Sequence, residues 1–163
     1  MKFQAIASLK NSKVVVTACL DKDFCRSLER AGYLEDNTLY PIETAYQLSR
    51  GRLLLEGCGT GWGCTLRLLH DFSIDLDMFT VYRDLRRKGR KPRLGFRPRT
   101  LLYEHNSKVH EVLVLSEGYV ERLSKIIEWG RQAAADNHVP IIAVVDRTGI
   151  ITYYEARASK SIQ

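Results

Sequence analysis

PIIAVVD, RTG and IITYY, consecutive over residues 140–154, decide the architecture of the carboxy-terminal half. β-Branched and aromatic residues on both sides of Arg147-Thr148-Gly149 predict a hairpin, because the polar triplet supplies a turn and its flanks supply strand formers. The first arm is apolar throughout 141–145. Such a run predicts burial on both faces, at a sheet centre or in a subunit contact.

Working back from that hairpin, the pattern over 120–137 predicts a helix carrying Leu123, Ile126, Ile127 and Ala134, and strands are expected at 95–103 and 109–115. From Asp75, Leu76, Phe79, Tyr82 and Leu85 share one face of an amphipathic helix that Gly89 ends, with Arg83, Arg86 and Arg87 on its flanks. Nearer the start, Val14-Val15-Val16-Thr17 predicts a strand, and Asp23 is expected to cap a helix over 24–31 that Gly32 closes. Pro41 suits the first turn of a second helix whose apolar face is Ile42, Ala45, Tyr46 and Leu48; Gly51 closes it before a strand-like run at 53–55.

The glycine-rich stretch at 57–64, GCGTGWGC, fits neither G-x-G-x-x-G nor G-x4-G-K-S/T, and no lysine follows its last glycine. It is expected to be a flexible turn between the halves rather than a phosphate cradle. These elements predict an α+β chain: a small amino-terminal α/β domain over 1–72, then a mixed-sheet domain over 73–163. Each is small enough to gain from packing against another chain.

Composition narrows the class. With 45% hydrophobic and 27% charged residues in 163, a folded domain is expected rather than a disordered chain. No stretch reaches the roughly 18 apolar residues of a membrane span, and the first twelve residues lack a leader pattern, so a cytoplasmic protein is expected. Cys19, Cys25, Cys58 and Cys64 fall as two C-x5-C pairs rather than the C-x2-C spacing of a zinc site, so no metal or other cofactor is expected. Buried free thiols are the expectation for them, with disulfides only in a hyperthermophile source.

Charge is concentrated. Residues 83–99 hold Arg83, Arg86, Arg87, Lys88, Arg90, Lys91, Arg93, Arg97 and Arg99 against Asp84, so this segment carries +8 of the net +6 and the remainder −2. Such a segment is either a phosphate-binding surface or a solvated face kept basic for solubility.

Three ordered blocks then point to a family. LERAGY at 28–33 with LYPIETAYQLSRGRL at 39–53 resembles the "L-x-x-x-G-F/Y" and "L-x-L-x-x-x-E-A-x-Y-L-x-x-x-G" pattern of the amino-terminal domain of tRNA-intron endonucleases. FTVYRDLRRKG at 79–89 is similar to the "Y-x-V-Y-x-D-L-R-x-R-G" that opens their catalytic domain. Arg131-x-Ala133, the apolar arm ending at Asp146, and 149–154 resemble its closing "R-x-A … L-A-V-V-D-x-x-G-x-x-T-Y-Y". The resemblance is to the archaeal type of this family and implies a carboxy-terminal endonuclease-like domain.

The resemblance implies cleavage of pre-tRNA at bulge-helix-bulge junctions without metal, leaving a 2′,3′-cyclic phosphate and a 5′-hydroxyl. A tyrosine takes the 2′-proton, a histidine protonates the leaving oxygen and a lysine steadies the phosphate charge. Tyr103 matches the tyrosine position in a segment that lacks the family's "F-G-x-D-F" centre, so it is either that tyrosine or a plain strand residue. His105 comes too soon for the histidine position, and His110 is followed by Glu111 and Val112 instead of the family's Ser-x-Tyr. Seven residues after Arg131, where the family has its lysine, stands His138, and no lysine occurs from 126 to 159.

The chain therefore resembles the structural partner of a catalytic subunit, two of each forming the enzyme. On this reading Tyr103, His110 and His138 are degenerate positions, and the nine basic residues of 83–99 together with Arg131 meet pre-tRNA. Arg131 matches a family arginine that grips a bulge base; a phosphate contact or a carboxylate partner is the other reading. The resemblance also implies pairing through the carboxy-terminal hairpin; separately, acidic Glu117 and Glu121 near the 115–121 loop are expected to enter a basic pocket of another subunit. The alternatives are a self-sufficient endonuclease using Tyr103, His110 and His138, and a general RNA-binding module.

Overall fold

A computed structural model of the chain describes residues 2–157. It is α+β and divides between Leu76 and Asp77 into two compact units.

The first unit runs β1 (Ala5–Lys10), β2 (Lys13–Cys19), α1 (Lys22–Arg30), β3 (Leu34–Glu35), β4 (Thr38–Leu39), α2 (Pro41–Ser49), β5 (Leu53–Leu55) and α3 (Trp62–Asp71). Its sheet has the order β3-β4-β2-β1-β5, antiparallel except for β1 beside β5. Asn11-Ser12 and Asp36-Asn37 turn the two hairpins with both φ angles positive in each, a conformation that short polar side chains tolerate. Ala7, Val14, Leu39, Ile42, Leu48 and Leu53 are wholly buried and form its core.

Three expectations change here. Asp21 rather than Asp23 caps α1, its carboxylate accepting from the Asp23 and Phe24 N–H groups at 3.0 and 3.1 Å, because the helix begins two residues earlier. The glycine-rich stretch is no link between the halves: it folds back on the first unit, Gly61 N–H donating to the Leu48 carbonyl at 3.0 Å, and feeds directly into α3. That helix was hidden by Gly63 and by an amino-terminal residue, Gly61, with no capping side chain. The cysteines are not free thiols. Cys19 is bridged to Cys25 and Cys58 to Cys64, since each turn from strand to helix brings the pair's Cα atoms to 6.4 and 5.7 Å, inside disulfide range.

The second unit runs α4 (Leu76–Arg87), β6 (Arg93–Leu94), β7 (Thr100–His105), β8 (Lys108–Ser116), α5 (Leu123–Ala135), β9 (His138–Val145) and β10 (Ile151–Glu155). The sheet order is β10-β9-β8-β7-β6, with β8 and β9 parallel across the α5 crossover and every other pair antiparallel. The quoted hairpin is β9-β10, and β9 lies between β8 and β10, which accounts for its unbroken apolar run.

Strand alternation divides this sheet into two faces. Leu101, Val112, Val114 and Ala143 are fully buried on the face turned to α4, where Asp77 accepts from the Ser116 hydroxyl and Asp84 from Tyr153. Leu113 and Ile142 lie on the opposite face against Trp129, Ile126 and Ala133 of α5. The single strand expected at 95–103 is broken: Arg99 sits at φ +56°, and 95–99 forms a loop between β6 and β7. Among the described residues no helix is long and apolar enough to cross a membrane.

Candidate functional site

The β7-β8 turn, Asn106-Ser107, again has two positive φ angles, and its register sets Tyr103 directly opposite His110. The two rings stack at 4.8 Å between centroids and 4° between planes, and His105 lies 6.2 Å from His110. Gly89 ends α4 in the left-handed region, which sends Arg90 toward this group. Its guanidinium lies 5.9 Å over the Tyr103 ring, and Nη1 is 2.8 Å from His105 Nδ1.

The protons in this cluster follow from its partners. Arginine stays charged and can only donate, so His105 Nδ1 accepts and the proton of the neutral ring is on Nε2. The Lys108 carbonyl can only accept, so His110 Nδ1 at 3.2 Å carries a proton and the lone pair of the neutral ring is on Nε2. Burial holds the His110 pKa below its ordinary value, and the positive charges of Arg90 and Lys108 push the same way, against the hydrogen bond to the Lys108 carbonyl. Near neutral pH this imidazole is uncharged. Burial likewise raises the Tyr103 phenol, with Arg90 opposing. An open cleft of about 560 Å³ beside them is lined by Arg90, Lys91, Arg93, Tyr103, His105 and Asn106 among others.

Further along the same face, the Tyr153 hydroxyl donates to Asp84 at 2.5 Å. Lys88 is 2.7 Å from that carboxylate and 4.5 Å over the Tyr153 ring. Burial, then Asp84, keeps the Tyr153 proton well past the ordinary tyrosine range.

His138 is elsewhere. It pairs with Val109 at the start of β9, which puts it on the α5 face with Glu111, opposite to Tyr103 and His110. Its Nδ1 is buried, makes no hydrogen bond and lies 3.6 Å from Glu111 Oε2. Glu111 is itself 1% exposed and takes two bonds from Arg97 Nη1 at 2.7 and 2.9 Å. Arg97 also donates to Gln132 at 3.2 Å and pairs with Asp136. These partners raise the Arg97 pKa, Asp136 first and Glu111 next, and Arg97 holds the Asp136 carboxyl below its usual range. Sequence reasoning missed this network. Its one signal was Glu111 inside an otherwise apolar strand, where a carboxylate requires a partner.

The basic run is similarly sorted. Arg87, Lys91 and Arg93 are exposed. Arg83 lies 5.8 Å over Phe79, and Arg86 reaches the Arg90 carbonyl at 3.5 Å. Arg97 is held in the Glu111 network. Arg99 donates to the Val114 carbonyl and the Ser116 hydroxyl, both at 3.0 Å, and lies 5.6 Å from the Tyr119 ring centre. Arg131 is exposed on α5. Glu117 accepts from the Arg147 N–H at 2.9 Å, and Glu121 from the Arg122 N–H at 3.1 Å.

Comparison with protein families gives two matches. One, over residues 3–71, is described as the amino-terminal domain of tRNA-intron endonuclease, SEN2-like; the other, over 76–153, as the catalytic carboxy-terminal domain of tRNA intron endonuclease. Comparison with curated proteins gives no match.

Proposed function

The chain belongs to the tRNA-intron endonuclease family, and from that premise we propose that it is the non-catalytic subunit of an archaeal-type, cytoplasmic splicing enzyme. It pairs with a catalytic subunit, two such pairs assemble, and it presents basic surface to pre-tRNA at a bulge-helix-bulge junction.

The observation that carries this reading is the placing of His138 on the sheet face opposite to Tyr103 and His110. The resemblance assigns that position the ammonium of the scissile phosphate, but here an imidazole sits against buried Glu111. Proton inventory adds support. A leaving 5′-oxygen requires a protonated acid, while His110 is held neutral near pH 7 and His105 Nδ1 is already an acceptor of the Arg90 bond.

A second reading, the self-sufficient endonuclease, draws on the Tyr103–His110 stack beside a basic cleft. One experiment separates them. Purified chain is incubated with intron-bearing bulge-helix-bulge RNA alone and after mixing with a catalytic subunit, with product ends identified. The proposal expects intact RNA in the first tube and cyclic-phosphate ends in the second. Cutting by the lone chain that Tyr103→Phe abolishes would establish the second reading, and equal affinity for bulged and plain duplex RNA would reduce the chain to a general RNA-binding module.

A further inference from the structure

Phe96 projects fully into solvent, more exposed than any other large apolar side chain among the described residues. It does so from a loop locked on both sides. On one side Gly95 N–H donates to the Thr100 carbonyl at 2.8 Å, and a Cβ on Gly95 would stand 2.1 Å from Thr100 Oγ1, so only glycine permits that approach. On the other, Thr100 Oγ1 donates to the Arg97 carbonyl at 2.6 Å, Arg97 is tied to Glu111, Gln132 and Asp136, and the Arg99 carbonyl accepts from Val114 N–H at 2.8 Å. A loop held this firmly does not fold its aromatic ring away from water. It presents the ring at low entropic cost to whatever binds there.

The surroundings name the class of ligand. Phe96 lies within the +8 segment, and the exposed Lys91 and Arg93 precede it along the same edge. A protein interface core is depleted of charge, whereas single-stranded nucleic acid is held by aromatic faces set among cations that follow its backbone. We infer that Phe96 is a stacking platform for an unpaired RNA base, with Lys91 and Arg93 on the adjoining phosphates. This deepens the proposed function and rests on its claim that the chain itself meets RNA.

The test measures affinity of the full chain for a bulged RNA, for the same RNA with an abasic bulge and for a perfect duplex of equal length. Because Phe96 covers nothing, Phe96→Ala should leave the thermal midpoint unchanged. It should weaken the bulged RNA by roughly five- to 150-fold, the usual loss for one base stack, and leave the duplex untouched. Phe96→Trp should restore binding, and the abasic bulge should erase the difference between wild type and Phe96→Ala. Equal weakening on all three RNAs, or none, overturns the inference while leaving RNA binding intact. Loss of assembly with a partner at unchanged RNA affinity also overturns it, making Phe96 a protein anchor. Absence of RNA binding by the unaltered chain defeats both this inference and the RNA-binding part of the proposed function.

Discussion

Replacing Arg97 by alanine tests whether the α5 face is built around an ion pair or merely decorated with one. Glu111 is 1% exposed and receives two bonds from Arg97, while His138 at 3.6 Å is beyond hydrogen-bond range. Removing the guanidinium leaves a buried carboxylate without its cation, which costs about 3–5 kcal/mol. A small unit holds roughly 5–15 kcal/mol in all, and with a urea slope of about 1–2 kcal/mol per molar its midpoint should fall by roughly 1.5–5 M. The defect should depend on pH. Arg97 holds the Asp136 carboxyl below its usual range, so this part of its contribution is present above the unfolded carboxylate value of about 3.9 and is lost as pH falls through the depressed folded pKa. Relative to wild type, Arg97→Ala should therefore be weaker near pH 7 than near pH 2. Urea melts followed by tryptophan fluorescence in a Trp62→Phe background read the relevant unit, because Trp129 packs in the core beside this network. Adding Glu111→Leu to Arg97→Ala should recover most of the loss. A deficit under about 1 kcal/mol near pH 7, or one indifferent to pH, would refute the reasoning and return Arg97 to the side chains open to RNA.

Three further outcomes follow from the same geometry. His138→Lys should leave the isolated chain unable to cut bulge-helix-bulge RNA, because the new ammonium would meet Glu111 on the wrong face; cyclic-phosphate products from that variant would contradict the assignment. Reducing the two disulfides, each spanning six residues, should cost the first unit about 2 kcal/mol per bridge while the melt of the second, read by Trp129, stays put. Arg87→Ala, Lys91→Ala and Arg93→Ala should each lower the slope of log affinity against log salt by about 1, whereas Arg99→Ala, whose guanidinium is turned to Val114 and Ser116, should leave it unchanged.

How much of this was legible depended on whether a residue's neighbours are close in sequence. The hairpin at 140–154, the α4 stripe and the Pro41 helix start could be read because turn chemistry and periodicity act locally. The α3 helix was lost because its signals were Gly61 and Gly63, residues that usually mark turns, and its stability comes from Cys64, Thr65, Leu68 and Leu69 buried in the first unit. The break in the expected strand at 95–103 required Arg99 in the left-handed region, which no propensity favours; tertiary bonds from Arg97 and Arg99 impose it. For the site, Tyr103 and His110 were named from sequence, but their stacking is a matter of register fixed by the Asn106-Ser107 turn. Charge counting treated residues 83–99 as one surface. The fold separates Arg87, Lys91 and Arg93 from Arg97 and Arg99, and that separation depends on Glu111 and Ser116, which stand in another strand.

The cations around the cleft act on its two possible duties in opposite directions. Arg90 and Lys108 favour an incoming phosphate, and the same charges, added to burial, disfavour protonation of His110. In an enzyme of this chemistry the conflict is bearable when an ammonium at the scissile phosphate takes over charge stabilisation and a separate histidine stays free to protonate. In this chain the position that would carry the ammonium faces the other side of the sheet, and His105 is occupied by Arg90. What remains on the α4 face is a basic surface poorly supplied with acid. On the proposed reading the missing acid comes from a catalytic partner, and the basic edge serves that partner's substrate.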